Sequence, residues 1–169
     1  HNGKVPALLE APLASLKENG NPWNGARTER MQWATGLSVP RFQAGQEYCL
    51  FTCCTTAYDP ANLKPGQALP QVLTHAGISF GILGTEESCC GDQARKLGAR
   101  DLFTDLARRN TALFLDSGAH KILTNSPHCL NAFKHSYGES LRAFQVEHYS
   151  ELLDRLISEG RVRPAGAVT

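Results

Sequence analysis

The sequence Ser88-Cys89-Cys90-Gly91-Asp92 holds two adjacent cysteines followed by a glycine, a pattern that is rare in an ordinary protein core. Thirty-four residues separate this pair from the cysteine before it, and 38 residues separate it from the cysteine after it. The four remaining cysteines of the chain are Cys49, Cys53, Cys54 and Cys129.

The residues around the pair alternate between strand-like and helix-like segments. Short apolar runs predict strands at 48–52, 78–83, 121–124 and 143–147. Helices are expected at 67–76, 92–97, 101–117 and 149–159 and in a segment that ends near 135, while 55–66 reads as a loop. This alternation predicts an α/β fold with a parallel, doubly wound (Rossmann-like) sheet of about four strands flanked by helices.

The predicted strands place three groups of cysteines at one edge of the sheet. Loops that follow parallel strands share an edge, and ligands usually bind there. The cysteines at 53–54, 89–90 and 129 all fall in such loops, so their thiolates are expected to converge on one metal centre. Cys49 lies inside the first strand and is expected to be a small buried hydrophobe.

The composition is that of a globular protein with no electrostatic reason to bind nucleic acid. The 169 residues are 41% hydrophobic and 20% charged, with a formal net charge of +1 and scattered basic residues. No apolar run approaches the ~18–20 residues of a membrane span, and no apolar signal segment is visible at the N-terminus. We expect a cytoplasmic protein, located at the inner face of a membrane if it belongs to a membrane-associated complex.

The first 40 residues lack enough apolar residues for a core of their own. Residues 1–40 are therefore expected to form an arm or linker that wraps onto a domain at 41–169. Helical spacing predicts helices at 5–16 and 26–33 in this arm. Trp23 and Trp33 are expected to be apolar anchors, and Asp92 is expected to cap the helix at 92–97.

The cysteine pattern favours a metal group over disulfides. Six cysteines would suit three bridges, but disulfide scaffolds are usually short and loop-rich, and adjacent cysteines do not easily bridge each other. Zinc sites mostly use C-x-x-C-like knuckles, whereas here whole βα units separate the thiols, which favours a group with several iron atoms. A thiol–disulfide protein is disfavoured, because no C-x-x-C begins a helix.

Three segments carry a resemblance to a known family. FTCCTTAYDP at 51–60, ILGTEESCCGD at 82–92 and TNSPHCLNAFK at 124–134 resemble the CCG cysteine-rich domain. This domain occurs in catalytic subunits of heterodisulfide reductases and in related iron–sulfur-binding reductases. The segment GNPW at 20–23, with Arg30 and Trp33, also resembles the stretch before this domain in long membrane-associated members.

The resemblance implies a [4Fe-4S]-type centre, cubane or non-cubane. Its pattern matches the cofactor and metal ligands to Cys54, Cys89, Cys90 and Cys129. Cys53 stands where relatives usually have glycine, and Ser126 stands where the family has another cysteine. The alternatives are that Cys53 substitutes, that Ser126 binds, or that the centre is an ordinary cubane, a degraded cluster or zinc.

Beside these ligands, His128 is a candidate catalytic residue, since it could donate a hydrogen bond to a sulfur atom or to a substrate.

The function that the resemblance implies is that of an iron–sulfur oxidoreductase subunit of heterodisulfide-reductase type. It would transfer electrons and reduce a disulfide, with a ferredoxin-like protein, a flavoprotein or a second CCG domain as its redox partner. Family members usually carry two such domains, and this chain shows one. The alternative function is a non-catalytic docking module of a larger redox complex, stabilised by zinc or a cubane cluster.

Overall fold

A computed structural model describes residues 6–165, and its centre is a four-stranded parallel sheet. The strand order is β2-β1-β3-β4, and every neighbouring pair is parallel. The α/β class and the parallel, Rossmann-like sheet predicted from the sequence are confirmed. The strands are β1 (Tyr48–Phe51), β2 (Phe80–Gly81), β3 (Lys121–Thr124) and β4 (Gln145–His148).

The strand order creates a crevice between β1 and β3. From β1 the chain moves outward to β2 and then returns past β1 to form β3, so the direction of winding reverses between these two strands. Their pairing aligns Leu50 with Leu123 and Phe51 with Thr124. Ligands of open α/β sheets bind outside the carboxyl ends of the strands at such a reversal.

Seven α-helices and four short 3₁₀ helices surround the sheet within the described residues. The α-helices are α1 (Ala7–Asn19), α2 (Cys54–Tyr58), α3 (Leu63–His75), α4 (Asp92–Lys96), α5 (Arg100–Ser117), α6 (Pro127–His135) and α7 (Tyr149–Ser158). The 3₁₀ helices are Arg27–Ala34, Pro60–Asn62, Gly84–Glu86 and Gly138–Leu141.

The loop predicted over 55–66 is wrong, because this segment is mostly helical. Asp59 accepts a hydrogen bond from the backbone of Ala61 and so caps a 3₁₀ turn, in which Pro60 is the first residue. Pro65 lies in the first turn of α3. Proline fits the first turn of a helix, where its missing N–H costs no hydrogen bond, so these residues begin helices here.

The second strand is shorter than the predicted run over 78–83. Its outer edge is covered by the chain that leads out of the arm: Ile82 donates to the carbonyl of Pro40 and accepts from the N–H of Phe42. A Cβ at Gly81 would collide with the backbone of Phe42, so this close approach requires glycine. The edge strand is thereby protected from pairing with another chain.

The core has one layer on each face of the sheet. On one face, Phe51 packs edge-on against Phe133 of α6 and Phe114 of α5, with ring centroids 4.9 and 5.8 Å apart. On the other face, Leu50 and Leu123 pack with leucines of α3 and α7. Successive strand residues alternate between the faces, as the pleat of a strand requires.

The arm contacts both layers of the core. Leu16 of α1 is buried in the layer that contains Phe51, and Trp33 is buried in the other. The prediction that Trp33 is an anchor is confirmed, but Trp23 is 44% exposed and is not a buried anchor. The arm helix predicted at 5–16 begins at Ala7 and continues to Asn19, with Val5 outside the described residues, and the segment predicted at 26–33 is a 3₁₀ helix.

Among residues 6–165, no helix is both long enough and apolar enough to span a membrane.

Two neighbouring residues of α5 give a direct test of this packing. Phe114 is fully buried between Phe51 and Phe133, whereas Leu115 is 59% exposed. We expect Phe114→Ala to lower the free energy of unfolding by about 3–5 kcal/mol through lost burial and the cavity left behind. Leu115→Ala should change it by about 0.5 kcal/mol or less, as urea unfolding of both variants would show. Equal effects would contradict the assigned orientation of α5.

Candidate metal centre

Three βα connections bring the cysteines to the carboxyl edge of the sheet. Cys53 and Cys54 follow β1, Cys89 and Cys90 follow β2, and Cys129 follows β3. The sequence predicted that all of them lie in loops. The structure corrects this in part, because Cys54 begins α2 and Cys129 lies in the first turn of α6.

The five thiols are buried together. Each of these residues is between 2% and 7% exposed. The sulfur atoms of Cys54 and Cys89 are 3.7 Å apart, and the backbone N–H of Gly91 donates to the sulfur of Cys89 at 3.4 Å. Cys49 is fully buried within β1 and belongs to the core, as the sequence predicted.

The thiols change one another's acidity around a closed ring. Contacts with the thiols of Cys129 and Cys54 hold the pKa of Cys53 well below its ordinary value. Contacts with the thiols of Cys129 and Cys89 lower the pKa of Cys90 to about 6. The pKa values of Cys54 and Cys129 are raised in turn by their contact with Cys53. The acidities of the five thiols are therefore coupled, and metals bind sulfur as thiolate.

A cavity of about 340 Å³ opens onto this ring. All five of the converging cysteines line it, together with Ser126 and His128. The hydroxyl of Ser126 also contacts the thiol of Cys53, which lowers the pKa of that thiol further. The donor set is thus five soft thiols and one hydroxyl around a single space, which suits iron–sulfur chemistry and not magnesium or calcium.

Within the described residues, the donor atoms that line the cavity are not arranged around a single metal ion. Within residues 6–165, no group of three or more His, Cys, Asp or Glu side chains is placed to hold one metal ion.

Polar side chains of α5 and of the turn after α6 hold the backbone of the cysteine pair. Asn110 of α5 accepts a hydrogen bond from the N–H of Ser88 at 3.2 Å and donates to the carbonyl of Cys89 at 3.0 Å. The hydroxyl of Tyr137 donates to the carbonyl of Cys90 at 2.9 Å and accepts from Asn110 at 3.1 Å. The pair is therefore fixed by side chains that lie far from it in sequence.

A second amide connects the first and third cysteine segments. The side chain of Asn125 accepts a hydrogen bond from the N–H of Cys53 at 3.1 Å. The same amide donates to the hydroxyl of Thr56 in α2 at 2.7 Å. Asn125 thus joins the start of α2 to the segment that contains Ser126.

His128 lies at the exposed rim of the cavity beside a buried carboxylate. Its ring Nδ1 is 3.4 Å from Oδ2 of Asp92 and 3.2 Å from Nζ of Lys96. The expectation that Asp92 caps α4 is wrong: Gly91, in the left-handed conformation, occupies the capping position. Burial raises the pKa of Asp92, but hydrogen bonds from Lys96 and Arg95 outweigh burial and hold that pKa below its ordinary value.

The arm forms one wall of the cavity. Its contribution is Leu9, Pro12, Pro22 and Trp23. The carbonyl of Gly20 accepts a hydrogen bond from the N–H of Cys89 at 2.6 Å, so the arm is bonded to the cysteine pair itself. The buried side chain of Asn21 accepts from the N–H of Trp23 at 2.9 Å and donates to the carbonyl of Gly25 at 2.8 Å, which fixes the turn that presents the indole.

Sequence reasoning brought all the candidate ligands together but missed the residues that position them. No spacing rule for metal ligands points to Arg30, Asn110, Asn125 or Tyr137. Their partners lie tens of residues away along the chain, 57 residues in the case of Arg30 and Glu87. The sequence signals were the resemblance around residues 20–33, which includes Arg30, and the segment at 124–134, which includes Asn125.

Comparison with known proteins agrees with this site. The family model for the cysteine-rich domain, CCG, matches residues 48–134, which include all five clustered cysteines. No solved structure matches the chain significantly.

Three similar proteins are redox proteins by name. The chain is 34% identical to EtfAB:quinone oxidoreductase of Syntrophomonas wolfei and 33% identical to the probable iron-sulfur-binding oxidoreductase FadF of Bacillus subtilis, in each case over 96% of this chain and 24% of the other. It is 31% identical to one subunit of the dihydromethanophenazine:CoB–CoM heterodisulfide reductase of Methanosarcina mazei, over 85% of this chain and 36% of that one. The chain thus spans between a quarter and about a third of these relatives' lengths.

The hydroxyl of Tyr137 offers a test of the network that holds the cysteine pair. Tyr137→Phe leaves the buried carbonyl of Cys90 without its donor and removes an acceptor from Asn110. We expect the free energy of unfolding to fall by about 1–3 kcal/mol in urea titrations. Tyr149→Phe removes a half-buried hydroxyl that makes no hydrogen bond within residues 6–165 and should cost about 0.5 kcal/mol or less. Equal losses of unfolding free energy in the two variants would contradict a special contribution of this network to stability.

Proposed function

This chain belongs to the CCG cysteine-rich domain family, and from that premise we propose that it is an iron–sulfur oxidoreductase subunit of heterodisulfide-reductase type. The observation that supports the proposal best is the convergence of five buried thiols on one cavity. They come from three different βα connections and meet where the strand order reverses between β1 and β3. Its activity would be electron transfer, with reduction of a disulfide as the associated reaction.

We assign Cys54, Cys89, Cys90 and Cys129 as the ligands of a [4Fe-4S]-type cluster. A cluster of this type supplies one-electron transfer when it is bound. Cys53 is the candidate for a fifth thiolate, because contacts with neighbouring thiols lower its pKa and it lines the same cavity. Ser126 is the weaker candidate, since a hydroxyl gives up its proton far less readily than a thiol.

The residues around the thiols have separate tasks in this proposal. Burial of the thiols keeps bulk water away from the ligand sphere, and the apolar wall of the arm continues that shield towards the cavity mouth. His128 lies at the rim with Lys96 beside it, and its ring N–H can orient an incoming substrate or partner. His128 is thus proposed as a substrate-orienting residue and not as a cluster ligand.

The proposed partners are other redox proteins or domains, because a one-electron centre needs a donor and an acceptor. We propose a ferredoxin-like protein, a flavoprotein or a second CCG domain as the donor. The relatives are much longer than this chain, and their additional length is consistent with such partners within one polypeptide. A cytoplasmic position at the inner face of a membrane is proposed as well, from the resemblance around residues 20–33 to membrane-associated members.

A second function has its own support. Ser126 replaces one thiol of the family pattern, and the site also contacts the arm through Gly20. A domain of this kind could use zinc or an ordinary cubane cluster only to hold its loops, while its surface docks to a larger redox complex. In that case the metal would stabilise the fold and would take no part in electron transfer.

Metal analysis of one anaerobically purified sample separates the oxidoreductase from a zinc-stabilised docking module. We expect about four iron and four sulfide ions per chain, because four thiolates suit a four-iron cluster. EPR spectra of the oxidised and reduced protein should then show a redox-active signal. Stoichiometric zinc without iron would contradict the oxidoreductase proposal and leave the docking module.

Alanine substitutions test the ligand assignment residue by residue. We expect Cys54→Ala, Cys89→Ala, Cys90→Ala and Cys129→Ala each to lose most of the bound iron, because each removes one thiolate of the proposed set. Cys49→Ala is the matched control and should retain its iron, since Cys49 is buried in β1 and does not line the cavity. The measurement is iron per chain, together with the visible absorption spectrum.

Two further variants identify the fifth position. If Cys53 is a ligand, Cys53→Ala should alter the EPR spectrum, whereas Ser126→Ala should leave it unchanged. The reverse result would assign the position to Ser126. Full iron content in all four of the variants at 54, 89, 90 and 129 would show that the cluster is held elsewhere.

A further inference from the structure

Arg30 and Glu87 form an ion pair in which both side chains are buried. Their side chains are 2% and 1% exposed, and Nη2 of Arg30 lies 3.1 Å from Oε2 of Glu87. In every other ion pair among residues 6–165, at least one partner is exposed by more than a third. Burial of two charges is costly, so this pair is an unusual element of a small domain.

The pair binds the peptide groups that lead into two of the cysteine segments. Arg30 donates to the carbonyl of Thr52 at 2.6 Å, and Oε2 of Glu87 accepts from the N–H of the same residue at 3.1 Å. Thr52 directly precedes Cys53, and Glu87 stands two residues before Cys89. The side chains of Arg30, from the arm, and of Glu87, from the connection after β2, therefore hold both backbone polar groups of Thr52.

Glu87 is held in turn by its own connection. Its Oε1 accepts from the N–H of Leu83 at 3.2 Å. Burial raises the pKa of Glu87, but both of its oxygens already accept hydrogen bonds from N–H groups, an arrangement that the ionised carboxylate satisfies. The ion pair is therefore the state that fits these contacts.

Arg30 is also within electrostatic reach of the thiol ring. Burial lowers the pKa of Arg30, but the charges of Glu87 and then of Cys54 outweigh burial and raise it above its ordinary value. The guanidinium also donates to the carbonyl of Thr52, two residues before Cys54, so a fixed positive charge lies near one of the assigned ligands and the carboxylate of Glu87 balances it.

We propose that Arg30 and Glu87 are positioning residues that fix the spacing of the first two cysteine segments, and that their charges balance each other so that neither shifts the reduction potential of the group that the thiols bind. The second half of this inference rests on the proposed iron–sulfur function. The pair contributes no net charge while both members are present. Removal of one member leaves the other buried and uncompensated near Cys54, where low polarity makes its field strong.

Single and double variants test the electrostatic half by the sign of their effects. Glu87→Gln keeps the shape of the side chain but leaves the guanidinium unbalanced, which stabilises the more negative, reduced state and should shift the midpoint potential upwards. Arg30→Gln should shift it downwards, and the double variant should return close to the wild-type value. The measurement is a redox titration followed by EPR.

Matched controls separate this effect from general damage. Glu86→Gln removes the same charge one position earlier, in an exposed pair with Arg41, and should leave the potential unchanged because water and salt screen it. Arg30→Lys keeps the charge and should stay near the wild-type potential even if the protein is less stable. Shifts of the same sign in Glu87→Gln and Arg30→Gln, or no shift in iron-replete samples, would overturn the electrostatic role. If Arg30→Gln does not fold, the contrast between Glu87→Gln and Arg30→Lys decides the question.

The positioning half is tested on metal-free protein. We expect the thiols at 53–54 and 89–90 to react several-fold faster with iodoacetamide in Glu87→Gln than in wild type or Glu86→Gln, because the segments are no longer held together. Peptide mapping of the alkylated chain locates the labelled sites. Unchanged rates would refute the positioning role, and a wild-type protein that never holds iron would refute the proposed function without affecting this result.

Discussion

The parallel alignment of β1, β2 and β3 is the constraint on which the rest of this structure depends. Because the three strands run the same way, the chain must leave each of them at the same edge of the sheet. The thiols that follow the strands are thereby gathered from segments that lie far apart in the sequence. The reversal of strand order between β1 and β3 then provides the space into which the thiols face.

Gathering thiols in this way requires a rigid surrounding, since loops alone do not hold side chains to fractions of an ångström. The chain meets this requirement with buried polar side chains that bond to loop backbone. Asn110 and Tyr137 hold the cysteine pair, Asn125 holds Cys53, and Glu87 holds Thr52. Buried amides and carboxylates are tolerated because their hydrogen bonds are formed, and a network of this kind specifies one arrangement of the loops.

The arm is part of the site and not an appendage. It buries Leu16 and Trp33 in the two core layers, and it supplies Gly20, Arg30 and one wall of the cavity. The site is therefore assembled from residues of 9–23 and Arg30 as well as from the three βα connections. The sequence does not reveal this, because even Arg30 stands 18 positions before the first strand.

The sequence by itself determined the fold class and the identity of the converging thiols, because hydrophobic period and turn residues are local signals. The family followed from the resemblance of the three cysteine segments. It did not determine that 55–66 is helical, since prolines that interrupt one helix also begin another. Only the tertiary structure decided that Arg30 meets Glu87, that Asn110 meets the cysteine pair, and that Trp23 lines a cavity while Trp33 is buried. Each of these depends on how the arm and α5 pack on the sheet, and packing joins residues whose separation along the chain carries no periodic signal.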